Sequence, residues 1–195
     1  MDKDRKSYEV FATGKTIPDN IRGVTLKALS FYPSLKNVKI DFVYNKHIRT
    51  HFMQAQPRYT TMFGHRKRRT YIIKISPKFC LKKKEIPTQE LPHEVLIGWI
   101  GHELGHIMDY LRKTNLELMI FGIGYYTSKN FIITAERAAD TYALNHDLGA
   151  YILATKDFIL HIADMPEKYI RRKKRLYLPP EEIMMMMDDM LAEDD

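Results

Sequence analysis

The sequence predicts a mixed fold, a small β-sheet followed by a run of helices. Three observations predict it: alternating or β-branched segments gather in the first half of the chain, helical apolar periodicity takes over after Pro92, and the composition supports a core. With 195 residues, 45% hydrophobic and 28% charged, the chain is long enough for one globular domain.

Ile17-Pro18 before Asp19 and Asn20 marks a helix start, and Ile21, Val24, Leu26, Leu29 and Phe31 carry an apolar stripe to Tyr32-Pro33. Residues 38–44 alternate as a strand should. Residues 69–75 are β-branched and aromatic, and they stop at Ser76-Pro77. Between them, residues 58–63 predict a third strand, joined to the last by a turn at Gly64.

Lys82-Lys83-Lys84 and Ile86-Pro87 read as a linker, and Pro92 with Glu94 opens a helix that runs to about residue 113. Val95, Leu96, Trp99, Ile100, Leu104, Ile107, Met108 and Leu111 lie on more than one side of it, so most of this helix should be buried. Gly98, Gly101 and Gly105 each cost about 1 kcal/mol against alanine in a helix. Three such penalties in one helix predict that something packs unusually close.

The stretch from Leu116 to Thr134 is apolar, but Glu117 and Lys129 bracket only about 11 residues of it, fewer than the ~20 that span a bilayer. It reads as a core helix or the hydrophobic wall of a cleft, with peripheral membrane contact as the alternative. A helix over about residues 134–146 and another over 151–162 follow, separated at Gly149. Residues 1–175 thus form a single domain, with the N-terminal helix and sheet in residues 1–90. Residues 176–195 form a C-terminal tail, in which Met184-Met185-Met186-Met187 predicts an amphipathic helix packed on the body, or alternatively one that blocks a cleft.

Net charge is +7, much of it in His65-Arg66-Lys67-Arg68-Arg69 and Arg171-Arg172-Lys173-Lys174-Arg175. Neither run is interleaved with aromatic platforms, so both read as solvated turns, and nucleic acid is not favoured as a partner. The charged residues 1–6 lack an apolar stretch followed by a cleavage site, which reads as cytoplasmic. The single cysteine, Cys80, excludes an internal disulfide and reads as a small buried residue.

The chemistry centres on His102-Glu103-Leu104-Gly105-His106. At 3.6 residues per turn His102 and His106 project from one helix face and can share a tetrahedral Zn²⁺, while Glu103 reaches the water to be activated. A catalytic zinc normally has three protein ligands. In one large class the third is a histidine six residues beyond the second, but here that position is Arg112. The candidate is Glu136, 30 positions after His106, with Asp140 one turn further on to accept a hydrogen bond from the free ring nitrogen of a ligating histidine. Alone, these two acids would read as surface carboxylates. Ala135, Ala138, Ala139 and Ala143 keep their helix thin where the first helix carries its glycines, so the two can approach closely.

This pattern, HExxH followed by a glutamate with an aspartate four residues on, resembles the gluzincin metallopeptidases, over two short segments. Glu136, Ala139 and Asp140, with Ala143 and Gly149 following, look most like the branch that holds the heat-shock and CaaX-prenyl peptidases and the small soluble minigluzincins. The resemblance implies a zincin-like α+β fold: a twisted sheet over the active-site helix, an edge strand that holds extended peptide, and a mostly helical C-terminal part presenting the glutamate. The ImmA/IrrE-type regulatory peptidases, implicated in removing DNA-binding repressors, are a second relative, and Asp140 with Leu148-Gly149 favours the first. A catalytically latent zinc-containing scaffold is the non-enzymatic alternative.

The expected activity is hydrolysis of a peptide or protein substrate with one Zn²⁺ per chain, Glu103 taking a proton from the attacking water and passing it to the leaving amine. Arg137, Tyr142, His146 and Tyr151 lie near enough in sequence to stabilise the oxyanion, but no spacing selects one. His47 and His51 have i, i+4 spacing without the glutamate and do not read as a second metal site; His65, His93 and His161 read as surface or core residues.

Overall fold

The computed structural model describes residues 8–48, 51–62, 64–162 and 164–193, with the side chain of Ile162 left aside. The fold is α+β and mostly helical, as expected. Helix α1 (Arg22–Ser30) starts after a 3-10 turn at Asp19–Ile21. Four strands form the main sheet in the order β1-β2-β4-β3: β1 (Lys15–Thr16), β2 (Lys39–Tyr44), β3 (Met53–Pro57) and β4 (Thr70–Ile75). β1, β2 and β4 are parallel, whereas β3 runs antiparallel to β4 at the edge. A separate hairpin pairs β5 (Lys78–Cys80) with β6 (Glu85–Pro87).

The third strand is not where propensity put it. Of residues 58–63, Tyr59–Thr61 form a 3-10 turn, and Phe63 lies outside the described residues. Thr61 closes that turn: its hydroxyl donates to the Arg58 carbonyl and accepts from the Thr70 amide. The strand is Met53–Pro57, whose two glutamines and proline carry little intrinsic β preference. Arg58 donates its amide to the Thr70 carbonyl and Ser76 donates to Phe52, which fixes the ladder phase and turns the backbone groups of Met53, Ala55 and Pro57 to the open edge. Pro57 therefore costs the sheet no bond.

Helix α2 (His93–Arg112) is the central rod, and residues 95–107 are all buried. It packs on α1, on β3, on α4 (Lys129–Leu144) and on α5 (Gly149–Asp157), which continues as a π-helical turn at Phe158–Ile162. Its glycines mark these contacts. A Cβ on Gly98 would lie 2.2 Å from both Thr155 Oγ1 and the Tyr151 carbonyl oxygen, and one on Gly101 would lie 2.7 Å from Leu148 Cδ1. The core joins Ile40, Phe42, Tyr71, Ile73 and Ile75 of the sheet to Leu26 and Leu29 of α1 and Leu96, Ile100 and Leu104 of α2.

Between α2 and α4 lies α3 (Asn115–Thr127), started by a capping box in which the Thr114 hydroxyl accepts from the Glu117 amide and the Glu117 carboxylate accepts from the Thr114 amide. Helix α4 begins at Lys129, five residues earlier than the apolar pattern suggested, because Ser128 caps it by accepting from the Phe131 amide. Helices α6 (Glu167–Leu176) and α7 (Pro180–Glu193) complete the chain. α7 docks on the body through fully buried Ile183 and through Met187, which lies against Gly149. Among the described residues, no helix is long and apolar enough to cross a membrane.

Three readings of surface chemistry are corrected. Cys80 is exposed, because along its short strand Lys78–Cys80 the alternate residue Phe79 is the one turned inward. Residues 171–175 lie in helix α6, whose register turns Arg172 and Lys173 toward the interior. Arg69 is 4% exposed and caps α2, donating to the carbonyls of Tyr110 at 3.1 Å and Lys113 at 2.9 Å. Arg66, Lys67 and Arg68 are exposed, as expected.

Candidate metal centre

Two turns of helix decide where the site can form. His102 and His106 stand one turn apart on α2, their rings 4.9 Å between centroids and nearly perpendicular. Glu136 reaches them from α4, its Oε2 lying 3.1 Å from His102 Nε2 and 3.7 Å from His106 Nε2. That reach depends on bare backbone: a Cβ on Gly105 would stand 2.5 Å from the Ala139 carbonyl oxygen. Each of the three side chains offers one ligand atom, all within 4.8 Å of one another, and all three residues are buried. The cluster could hold a metal ion.

Asp140 fixes the first histidine. Its Oδ1 lies 2.8 Å from His102 Nδ1, while Oδ2 accepts from Lys156 Nζ at 2.9 Å and from the Leu178 amide at 3.1 Å. Burial pushes the Asp140 carboxyl up, but Lys156 and His102 outweigh it and hold the group below the usual carboxylate range. Glu136 follows the same logic, since burial opposes ionisation and the two imidazoles carry it well below its ordinary value. Burial would lower His102, yet Asp140 and Glu136 push it up to about 9. The pocket is therefore built for positive charge between two carboxylates.

Glu103, on the same helix, points to the sheet. The Ala55 amide on the open edge of β3 donates to its Oε2 at 2.5 Å, and Tyr110 Oη donates to the Ala55 carbonyl at 3.3 Å. Glu103, His106 and Glu136 all line a cleft of about 830 Å³, bounded by β3 on one side and α3 on the other. A smaller cavity of about 310 Å³ lies behind, lined by His102, Asp140 and Lys156. Tyr177 borders both spaces, its ring 5.3 Å from that of His102.

All five residues singled out by spacing, His102, Glu103, His106, Glu136 and Asp140, meet here. The four named for the oxyanion do not. Arg137 pairs with Glu182 at 3.6 Å, Tyr142 lies under the Arg112 guanidinium, His146 stacks on Tyr32, Tyr151 meets Phe31, and none of them lines either space.

Other polar groups border these two spaces. Tyr125 Oη donates to Glu136 Oε1 at 2.5 Å, and burial followed by Glu136 raises its pKa. Lys173 Nζ donates to Tyr177 Oη at 2.8 Å, and burial lowers the pKa of that ammonium. His51 lines the cleft, with Arg172 Nη2 3.1 Å from its Nε2; burial and then Arg172 push it down to about 4. Arg donates only, so Nε2 is the acceptor and the His51 proton sits on Nδ1. No spacing tied these residues to the histidine motif, and His51 drew notice only for its i, i+4 relation to His47, since each comes from a different element. No protein-family model, curated protein or solved structure matches this chain.

Proposed function

We propose that this chain is a zinc-dependent endopeptidase of the gluzincin type, with a zincin-like core. The observation that carries the reading is the convergence of two imidazoles from α2 and a carboxylate from α4 next to a glutamate that opens on a large cleft. His102, His106 and Glu136 would hold the ion. Two imidazole nitrogens and one carboxylate oxygen suit catalytic zinc, whereas calcium and magnesium take all-oxygen sets. Bound there, zinc would supply a Lewis acid that acidifies water and polarises a carbonyl.

The remaining steps fall to side chains of the chain. Glu103, oriented by the Ala55 amide through Oε2, keeps a second oxygen to take a proton from the attacking water and deliver it to the leaving amine. Asp140 Oδ1 would accept from His102 Nδ1–H and so free the Nε2 lone pair for the ion. Tyr125 occupies Glu136 Oε1 and leaves Oε2 toward the histidines. The cleft along β3 would receive a peptide or protein substrate, and the Asp140 bond supports the gluzincin reading over the ImmA/IrrE one. A lone free cysteine agrees with a reducing, cytoplasmic setting.

Metal analysis with a casein digest tests the proposal. The purified protein should carry one zinc per chain and cleave casein; Glu103→Gln should keep metal and fold but lose cleavage, and Glu136→Ala should lose the metal. Equal zinc affinity in Glu136→Ala would remove that carboxylate from the ligand set. Zinc-loaded protein that leaves casein and an unbiased peptide library intact would refute the peptidase.

A further inference from the structure

Helix α3 buries Leu118 and Phe121 but leaves five large apolar residues in solvent: Leu116 is 66% exposed, Met119 53%, Ile120 56%, Ile123 65% and Tyr126 78%. At 3.6 residues per turn these five fall within an arc of roughly 120°. Met119, Ile123 and Tyr126 also form one lip of the cleft, and Tyr59, 62% exposed, stands on its border from the other side. Monomeric proteins seldom leave so continuous an apolar strip uncovered without a use for it.

The charge around the strip selects its partner. Asn115 Nδ2 donates to the Gly64 carbonyl at 3.1 Å, which ties the start of α3 to the turn carrying exposed Arg66, Lys67 and Arg68. Arg66 acts electrostatically on Glu117, the only acidic residue of α3, and that carboxylate is committed to its capping box. Lys129 is exposed just beyond the far end of the helix. An apolar strip with a phenol at one end and guanidinium and ammonium groups at the other matches an anionic bilayer surface, into which apolar side chains dip while cations meet headgroup phosphates.

We propose that this protein docks peripherally on anionic lipid through α3 and the Arg66–Arg68 turn, with the mouth of the cleft against the membrane. The docking needs no metal, so it stands or falls separately from the peptidase reading.

Vesicle flotation of the full chain tests it, with phosphatidylcholine alone set against phosphatidylcholine holding about a third phosphatidylserine. The wild type should float with the anionic vesicles at about 0.05 M NaCl and release at about 0.5 M. Ile120→Glu/Ile123→Glu should weaken binding at least ~tenfold, and Arg66→Gln/Lys67→Gln/Arg68→Gln should weaken it on anionic vesicles. All these positions are exposed, so melting curves should match wild type; Met119→Ser/Tyr126→Ser, a milder pair, should also reduce flotation. No flotation of the wild type, or flotation indifferent to the strip, overturns the proposal. So does a dimer seen by light scattering without vesicles and dissociated by Ile120→Glu/Ile123→Glu, which would make the strip an interface between copies.

Discussion

Gly105 and Ala139 touch through backbone, since a Cβ on the glycine would fall 2.5 Å from the alanine carbonyl oxygen and 3.2 Å from its Cα. A single methyl at position 105 must push α4 away from α2, and Glu136 rides on α4 one turn before Ala139. Gly105→Ala should cost about 1–3 kcal/mol in overpacking. It should also weaken zinc binding by more than the stability loss accounts for, read by metal competition beside a melting curve. Gly23→Ala is the control: nothing lies within 4 Å of a Cβ there, so this change in α1 should be neutral or stabilise by up to ~1 kcal/mol.

Asp140 and Lys156 form a buried pair at 2.9 Å. Removing only the acid leaves an uncompensated ammonium, so Asp140→Ala should destabilise by about 3–5 kcal/mol. Asp140→Leu/Lys156→Met should recover much of that loss, as paired apolar replacements often do. Neither restores the bond to His102, so zinc affinity should stay some 10–100-fold down in both. Full recovery of affinity in the double variant would show that the aspartate does nothing for the imidazole.

Arg69 closes the C-terminal end of α2, and its neighbours in the basic run do not. Arg69→Met should cost about 1.5–3 kcal/mol through two lost charge-assisted bonds. Arg66→Gln should change stability by less than about 0.5 kcal/mol. Urea midpoints for the two variants check the contrast.

Asp41 meets Arg58 at the surface, at 2.5 Å. Burial raises the Asp41 carboxyl, but bonds from Thr16 and Arg58 together leave it lower than usual. A depressed folded pKa contributes stability above the unfolded value and loses it as the pH falls below about 4. The pair is half solvated, so the loss should stay under about 1 kcal/mol and shrink in Arg58→Met. Urea midpoints at several acidic pH values measure it.

The site was legible because its information is local. Two histidines one turn apart define a helix face, and glycine facing alanine in the second helix announces close backbones. Residues supplied by single distant elements were not legible: Tyr125, Lys156, Tyr177 and His51 have no spacing relative to the motif, and only packing brings them in. The edge strand was missed for a related reason. Gln54, Gln56 and Pro57 prefer no strand on their own, and the ladder to β4 plus the Ala55–Glu103 bond impose it. The basic run at 171–175 misled because a count of charges hides which helix face each charge occupies.

Leu178 donates its amide to the same carboxylate oxygen that receives Lys156. A version of this protein shortened at residue 175 would thus strip a neutral donor from the acid that steers His102. Trimming the final twenty residues is an operation on the imidazole, and any altered behaviour of such a product should first be compared with that of Asp140 variants before it is credited to an uncovered cleft.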